Sequence, residues 1–491
     1  MKYDSVIDYL VGTLGDSIQG FGATDDKVNK KTEAEICDHF EKNVCGFEGD
    51  EGCDFFKIGD GDVPFFYNGK FYEQTDDICL RSIVKRVMEQ LEIGVVYQKN
   101  SHTKIAQECF ESLVADERCK FELERRYVVF KNCVLDTKTE MLYPHDIKFK
   151  TDMVLDFSYK KDGRSALWDR LIAETIPDAG MRMAFQMFCG AFLADRSEYK
   201  VEFICLLVGS GRNGKSVVTE AIAKVFGDKL VSSFSPEQLF RSSQRDYNLA
   251  AINGKVANMT DDMSNKDVSG GDFKSFMSGG RFMARNPYGR PFQVNKVPLM
   301  ICCVNEIPNS TDDTNGYYRR LLPIVCPNQI ADDQVDEQLP QKLSTEECKV
   351  AIFNWVLEGY RKFVECSGKI NLSESIMMVR EDIREDSNSA RRWIREKGYK
   401  KVKSTGASDP NWRSFKALMT EYVEYCHEYS ETPKTGKSVA KILKEMGLES
   451  KKERDTTWYC IGCNVEYTPK PAEPNPQQLL EEEEALLDMP F

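Results

Sequence analysis

The stretch Gly209-Ser210-Gly211-Arg212-Asn213-Gly214-Lys215-Ser216 fits the pattern G-x-x-x-x-G-K-[ST]. In such a loop the backbone N–H groups wrap phosphates, helped by the positive end of the helix that follows. Lys215 would reach the β- and γ-phosphates, and the Ser216 hydroxyl would ligate Mg²⁺. A nucleotide is therefore the expected ligand, with Gly209 through Val217 as its candidate binding residues. Kinases, GTPases, transporters and helicases all use this loop, so it does not choose among them.

Hydrolysis of a γ-phosphate also needs an acidic residue at the end of a neighbouring strand. The stretch "GKVANMTDDM" supplies one about 45 residues later. Asp261 would join Ser216 in holding Mg²⁺, and Asp262 would orient or deprotonate the attacking water. An ordinary turn is the alternative for paired aspartates after a short strand. The apolar run "PLMICCVNEIP" then delivers Asn305 from a strand end, as a γ-phosphate or water sensor would be delivered. In "NGYYRRLLPI", Arg319 and Arg320 follow a glycine turn, where one could reach a neighbouring subunit's ATP and stabilise transition-state charge. A plain surface arginine pair is the alternative there.

These residues need elements to hold them. "VEFICLLVG" reads as a buried strand running into the glycine loop, and this strand–loop–helix order is the context the pattern requires. Upstream, "ALWDRLIAET" and "MRMAFQMFCGAFLAD" carry apolar residues at helical spacing, a packed helical layer. "YVVFKNCVLDTKTEMLYPHD" reads as a hairpin turning at Asp136 to Thr139. Downstream, "SARRWIREKGYKKVKS" holds seven basic residues against Glu396, a linker or nucleic-acid-facing strip. From Trp412 onward, an aromatic helix face, a helix with Lys437, Lys441 and Lys444 on one side, and the strand "TTWYCIGC" suggest a winged helix. That lysine stripe could contact phosphates or be a solvated face.

The resulting division is an accessory module at 1–105, a helical collar-type domain at 106–200 and an ATPase domain at 201–365. A basic linker at 366–410, a winged-helix-like domain at 411–466 and a disordered acidic tail at 467–491 complete it. At 491 residues, 41% hydrophobic and 30% charged, the chain is long enough for several cores and has a soluble protein's composition. It has no apolar run of membrane-spanning length and no signal pattern, so the expected location is the cytoplasm of a host cell. Seventeen scattered cysteines fit reduced thiols. Cys37, His39, Cys45 and Cys53 match no standard zinc spacing, Cys460 and Cys463 form a lone C-x-x-C, and Asp60 with Asp62 reads as a turn before it reads as a metal pair. The net charge of −13 excludes wrapping of nucleic acid by the whole surface. Locally, however, Phe273 to Asn305 carries Lys274, Arg281, Arg285, Arg290 and Lys296 without one acid.

Phosphate loop, acidic pair, basic hairpin, Asn strand and arginine pair follow in that order within about 110 residues. In this the chain resembles the superfamily 3 helicases of small viruses, phages and plasmids, which are AAA+ ATPases. It looks closest to the branch of poxvirus-type helicase–primases and phage or plasmid primase–helicases. "GSGRNGKS" is similar to that branch's loop, including Asn213 before Gly214. "KNCVLDTKTEMLYPH" resembles its upstream segment, with Cys133 and Glu140 where glycines are usual. "FKSFMSGGRFMARNPYGRPFQV" resembles its Lys-x-hydrophobic-T-G-G-D and basic hairpin, with Arg281 in place of the acid. "VNEIP" and "YYRRLLPI" resemble its sensor and arginine-finger motifs.

The resemblance implies an α/β fold: an AAA+ P-loop ATPase domain with a helical N-terminal region and a C-terminal winged-helix module. It implies a homo-hexameric ring, a replicative DNA helicase working on single-stranded and forked DNA. Lys274, Arg285, Arg290 and Lys296 would contact phosphates, and Tyr288 would stack on sugar or base at the hairpin turn. No primase domain is evident in residues 1–105, so a primase would act in trans. The terminus "LLEEEEALLDMPF" resembles the tails of bacterial single-strand DNA-binding proteins, so Asp488, Met489, Pro490 and Phe491 would recruit host replication proteins. A solubilising tail is the alternative. Two further functional classes share the phosphate loop: an origin-binding or loading scaffold that uses ATP for assembly, and a DNA-packaging translocase.

Overall fold

The computed structural model describes residues 56–59, 63–75, short stretches between 81 and 120, 123–261, 263, 271–287, 291–305, 315–331, 333, 335–406, 409–429 and 431–463. Asp60, Asp62, Cys37, His39, Cys45, Cys53, Asp262, Tyr288, Arg290 and the tail residues Asp488 to Phe491 lie outside these residues. Two compact units divide the chain at Arg380 and Glu381.

In the first unit, β1 (Phe56–Gly59), β2 (Val63–Tyr67) and β3 (Tyr72–Gln74) form an antiparallel meander. Its second turn closes because the Asn68 carboxamide oxygen accepts from the N–H groups of Lys70 and Phe71, both at 3.1 Å. A second antiparallel sheet holds β4 (Tyr127–Val129), β5 (Val134–Asp136) and β6 (Leu142–Tyr143). Its turn falls where the sequence places it, with Asp136 accepting from Lys138 N–H at 2.9 Å. Glu140 adopts a left-handed φ of 57°, the conformation a glycine would take freely, and its carboxylate pairs with Arg361.

Two capped helices follow, α1 (Ala166–Thr175, capped by Ser165) and α2 (Ala179–Gly190, capped by Asp178). Next come β7 (Ile204–Val208), α3 (Lys215–Phe226), β8 (Val231–Ser232), α4 (Pro236–Phe240), α5 (Arg245–Ala251) and β9 (Ala257–Thr260). The chain continues through α6 (Gly271–Met277), β10 (Phe282–Arg285), β11 (Pro291–Val294), β12 (Leu299–Val304), α7 (Asn315–Tyr318) and β13 (Leu321–Val325). Helices α8 (Leu339–Leu343), α9 (Glu346–Glu365) and α10 (Glu374–Asp386) come next, the last running across the division between the units.

Five strands make a parallel sheet in the order β13-β7-β12-β9-β8. Their runs, "ICLLV" and "LMICCV" among them, are apolar without alternation because both faces of the sheet are buried. The register aligns Val208 with Val304 and Val325, and Cys302 with Thr260, so the strands end at a common carboxyl edge.

One core joins Val128 and Leu135 of the second sheet, Trp168 and Phe185 of the helical layer, Leu207 and Ile301 of the parallel sheet, and Phe353 and Val356 of α9. Residues 106–200 and the segment 201–365 therefore share a core instead of forming two. The amphipathic helices bury their stripes mainly against α9, where Trp355 packs on Trp168 of α1 and Phe185 of α2, and α9 shares this core with the sheet. Among the described residues no helix is long and apolar enough to cross a membrane.

In the second unit, α11 (Ser389–Glu396), β14 (Tyr399–Lys401), β15 (Trp412–Ser414), α12 (Phe415–Glu428), α13 (Gly436–Glu445), β16 (Ser450–Glu453) and β17 (Thr456–Cys463) surround Trp393, Tyr422 and Tyr459. Strand β17 pairs with β14, β15 and β16. The segment expected as a basic linker at 366–410 thus carries α10, α11 and β14. Its alternating composition explains this: Trp393, Ile394 and Tyr399 are core residues, while Arg391 and Arg392 pair with Glu445 and Glu431. Arg395 pairs with Asp386 at 2.5 Å. Lys437, Lys441 and Lys444 lie on the exposed side of α13, opposite the buried Val439, Ile442 and Leu443.

Candidate functional site

The glycine loop leaves the carboxyl end of β7, at the centre of the edge where β12 and β13 also end. Gly209 donates its N–H to Val304 O at 3.1 Å, so the loop starts against β12. Its missing side chain is required there, because a Cβ would lie 2.5 Å from the Cys326 carbonyl oxygen. Gly214 caps α3 with a left-handed φ of 78°, and a Cβ there would meet Thr175 Oγ1 at 2.7 Å. The loop is thus pressed between α1 and the segment that follows β13.

Lys215 is buried, and its ammonium donates to Gly209 O at 2.6 Å and to Asn213 Oδ1 at 3.1 Å. A cavity of about 650 Å³ opens in front of the loop, lined by Gly211 to Val217 together with Asp261, Met263, Cys303, Val304 and Asn305. Asp261 arrives from the end of β9 and Asn305 from the end of β12. The sheet order therefore converges Lys215, Ser216, Asp261 and Asn305, residues far apart in sequence, on one space. Gly209 and Ser210 support the loop from outside that lining, with Ser210 Oγ accepting from Gln329 Nε2 at 2.8 Å.

The oxygen donors facing the cavity, Ser216 and Asp261, suit a hard cation such as Mg²⁺. Among the described residues no group of three or more His, Cys, Asp or Glu could hold a metal on its own. A cation here would depend on phosphate oxygens for its remaining ligands, which is how Mg²⁺ is held with nucleotides.

Three contributors had no sequence signal of their own. Cys303 lies two residues before Asn305 on β12, on the cavity side, with its sulfur 3.8 Å from Thr219 Oγ1. Burial first, and the Asp261 carboxylate second, push its thiol up to about 12, so it remains a neutral group hydrogen-bonded to Asp261. The segment 326–330 is the second contributor. Cys326 N–H donates to Val208 O at 2.7 Å, Asn213 Nδ2 to Asn328 O at 3.2 Å, and Ile330 N–H to Arg212 O at 2.9 Å. The third is Thr175, which closes on Gly214. Only the strand period of two places Cys303 beside Asn305 in the sequence.

Arg319 and Arg320 lie elsewhere. Arg320 O accepts from Ile204 N–H at 2.9 Å, at the start of β7, so the pair sits at the amino edge, across the sheet from the cavity. Arg320 donates to Ser278 Oγ at 3.1 Å and to Gly316 O, whereas Arg319 is exposed.

The basic residues are spread out. Lys274 is part-buried on α6, and the aromatic rings of Phe240, Phe273, Phe276 and Phe282 anchor the hairpin beside it. Arg285 is exposed at the turn end of β10, opposite Pro291. Lys296 lies beyond the base pair Phe282–Val294, about 10 Å or more along the hairpin from Arg285. It pairs with Asp195 at 3.7 Å.

Two family models match parts of the chain. Residues 68–177 match the family described as D5 N terminal like, and residues 207–320 match a family of unknown function, DUF5906. The first runs from the meander through α1; the second holds the glycine loop, Asp261, the hairpin, Asn305 and both arginines. Among solved structures, the apo structure of the NrS-1 C terminal region is 13% identical, covering 84% of this chain and 96% of that chain with a TM-score of 0.50. Another apo form of the same region is 12% identical, with coverage of 83% and 96% and a TM-score of 0.47. The chain is thus a mixed α/β protein with a parallel sheet, similar in fold to the NrS-1 C terminal region, and residues 68–177 match the D5 N terminal like family.

Proposed function

We propose that this chain is an ATP-hydrolysing replicative DNA helicase of the superfamily 3, AAA+ kind, working in phage, viral or plasmid replication. The observation that carries the reading is the convergence of the glycine loop, Asp261 and Asn305 on one cavity at the carboxyl edge. A phosphate cradle alone would be uninformative; adding an acid and an amide from two adjacent strands makes a site for cleaving the terminal phosphate bond.

In this reading the backbone N–H groups of the loop and Lys215 bind the phosphates, and Ser216 and Asp261 hold Mg²⁺, which supplies charge neutralisation on the phosphate oxygens when bound. Asp262 takes the proton of the attacking water, and Asn305 orients that water. Arg319 and Arg320 face away from their own cavity, which suits an arginine acting on a neighbouring copy in a ring. Arg319 is the better finger, because Arg320 is tied to Ser278 and Gly316 of its own chain. The hairpin β10–β11 contacts the translocating strand through Arg285, Tyr288 and Arg290, with Lys274 on α6 and Lys296 past the hairpin's base adding phosphate contacts. The second unit acts as a winged helix whose exposed Lys437, Lys441 and Lys444 meet phosphates. The similarity to a D5 N terminal like family over residues 68–177 supports a primase–helicase kinship.

The test is ATP hydrolysis and fork unwinding, with and without single-stranded DNA, for the wild type and Lys215→Ala. DNA-stimulated hydrolysis with unwinding, both lost in Lys215→Ala, is expected. Hydrolysis without unwinding would leave a translocase or loading scaffold, and absence of hydrolysis in the wild type would remove all motor readings.

A further inference from the structure

Lys215 is held by a side chain that is itself held. Asn213 is 3% exposed and Lys215 6% exposed, and Asn213 Oδ1 accepts from the Lys215 ammonium at 3.1 Å. At its other end, Asn213 Nδ2 donates to the Asn328 carbonyl at 3.2 Å. A carboxamide has one donating and one accepting end. The Asn328 carbonyl can only take the donating end, so the accepting end must face the lysine. Aspartate would present oxygen to oxygen at Asn328, serine is too short to span both partners, and glutamine is one methylene too long.

Asn328 belongs to a strap, residues 326–330, that clasps the loop at further points. Gln329 Nε2 donates to Ser210 Oγ at 2.8 Å, and Ile330 N–H to Arg212 O at 2.9 Å. Arg212 has a left-handed φ of 52°, a strained conformation for a non-glycine residue that persists only where its surroundings enforce it. Asn328 Nδ2 anchors the strap by donating to Glu174 O at the end of α1, at 2.9 Å. The strap is the direct continuation of β13, whose opposite end carries Arg319 and Arg320.

We infer that Asn213 is a positioning residue for phosphate recognition: under the control of the 326–330 strap, it aims the Lys215 ammonium at the terminal phosphates. The inference rests on the nucleotide reading above and explains why the position before Gly214 is asparagine. Because strap and arginine pair share β13, the same strand connects this loop to the edge that faces a neighbour.

Calorimetric titration of the full chain with Mg²⁺-ATP and Mg²⁺-ADP tests it, with thermal melting as the control for folding. Asn213→Ala is expected to weaken ATP about tenfold, the loss of a hydrogen bond to a charged group. Asn213→Asp is expected to weaken it further, since its carboxylate competes with phosphate for the ammonium. In both variants the preference for ATP over ADP falls, because the lysine's aim matters most at the γ-phosphate. Gln329→Ala removes one exposed side chain of the strap and should raise the KM for ATP about threefold with kcat nearly unchanged. It serves as the test should the Asn213 variants fail to fold. An unchanged ATP-to-ADP preference in folded Asn213 variants, or an unchanged KM in Gln329→Ala, overturns the inference. A wild type that binds neither nucleotide would instead remove the nucleotide reading itself.

Discussion

The two edges of the five-stranded sheet carry the chemistry-bearing residues in opposite ways. At the carboxyl edge Lys215 and Asn213 are buried and fixed by backbone carbonyls, and the loop is clasped by a strap on one side and α1 on the other. At the amino edge the cations are exposed or half-exposed: Arg319 is open, and Lys296 shares an ion pair with Asp195 at 43% and 42% exposure. A phosphate cradle must have its donors aimed before the ligand arrives, since reorganisation at the moment of binding costs affinity. A residue that serves a second molecule must instead remain open on its own chain. The contrast teaches that one strand, β13, presents an exposed arginine at its start and a rigid strap at its end.

The largest effect should come from the open edge. Arg319→Ala is expected to lower kcat for ATP about a thousandfold while leaving ATP affinity in place. Mixing it with Lys215→Ala subunits should restore part of the activity, because each variant supplies what the other lacks. Arg320→Ala should instead cost about 1–3 kcal/mol of stability by leaving Ser278 and Gly316 without their partner, read by denaturant unfolding. A larger kcat loss in Arg320→Ala than in Arg319→Ala would reverse the assignment.

At the rigid edge, Gly209→Ala forces a Cβ to 2.5 Å from the Cys326 carbonyl, and backbone must move. ATP binding is expected to weaken about a hundredfold, since small misplacements of a positioned site carry penalties of that order. Retained affinity would mean that the loop is less constrained than its contacts imply.

A smaller effect is expected from pH. The Cys303 thiol is raised to about 12, against 9.0 for a free thiol, and burial raises Cys189, Cys205 and Cys302 as well. Between those values the unfolded thiol has lost its proton while the folded one keeps it. The unfolded state then binds fewer protons, so stability is full below pH 9 and declines as pH rises toward 12. The melting temperature should fall by about 3 °C or more from pH 8 to pH 10.5, and by less in Cys303→Ala. An identical pH profile in that variant would clear Cys303 of the effect.

The smallest effect is expected at Lys296. Its half-exposed ion pair contributes at most about 1 kcal/mol, so Lys296→Ala should barely move stability. Filter binding to single-stranded DNA across a salt series should nonetheless show a slope shallower by about one unit. An unchanged slope would leave Lys296 as a structural partner of Asp195.

How much of this was legible in the chain differs by residue. The loop, Asp261, Asn305 and the arginine pair stand out because each lies at the end of a short apolar run or a glycine turn, and such signals are local. The turn at Asp136 is legible for the same reason, even with Glu140 in a glycine's conformation. The shared core of residues 106–200 with the sheet was not legible, because amphipathic spacing states that a stripe is buried but not against what. The basic strip at Arg391 to Lys403 hid its own core residues, since Trp393 and Ile394 sit among arginines whose partners, Glu431 and Glu445, are distant in sequence.

By itself the sequence determined the inventory: a glycine loop of phosphate-binding pattern, then an acid, an amide and an arginine pair, in that order along the chain. Which of them share a space was decided by strand order. Placing β7 between β12 and β13, with β9 beyond β12, brings Asp261, Cys303 and Asn305 to the loop and sends Arg319 to the far edge. Parallel pairing of β7 with β12 and β13, strands about 95 to 120 residues away, is a property of the packed sheet, and no local pattern encodes it. The same pairing delivers residues 326–330 to the loop, so that Asn213 can hold Lys215 from one side and be held from the other.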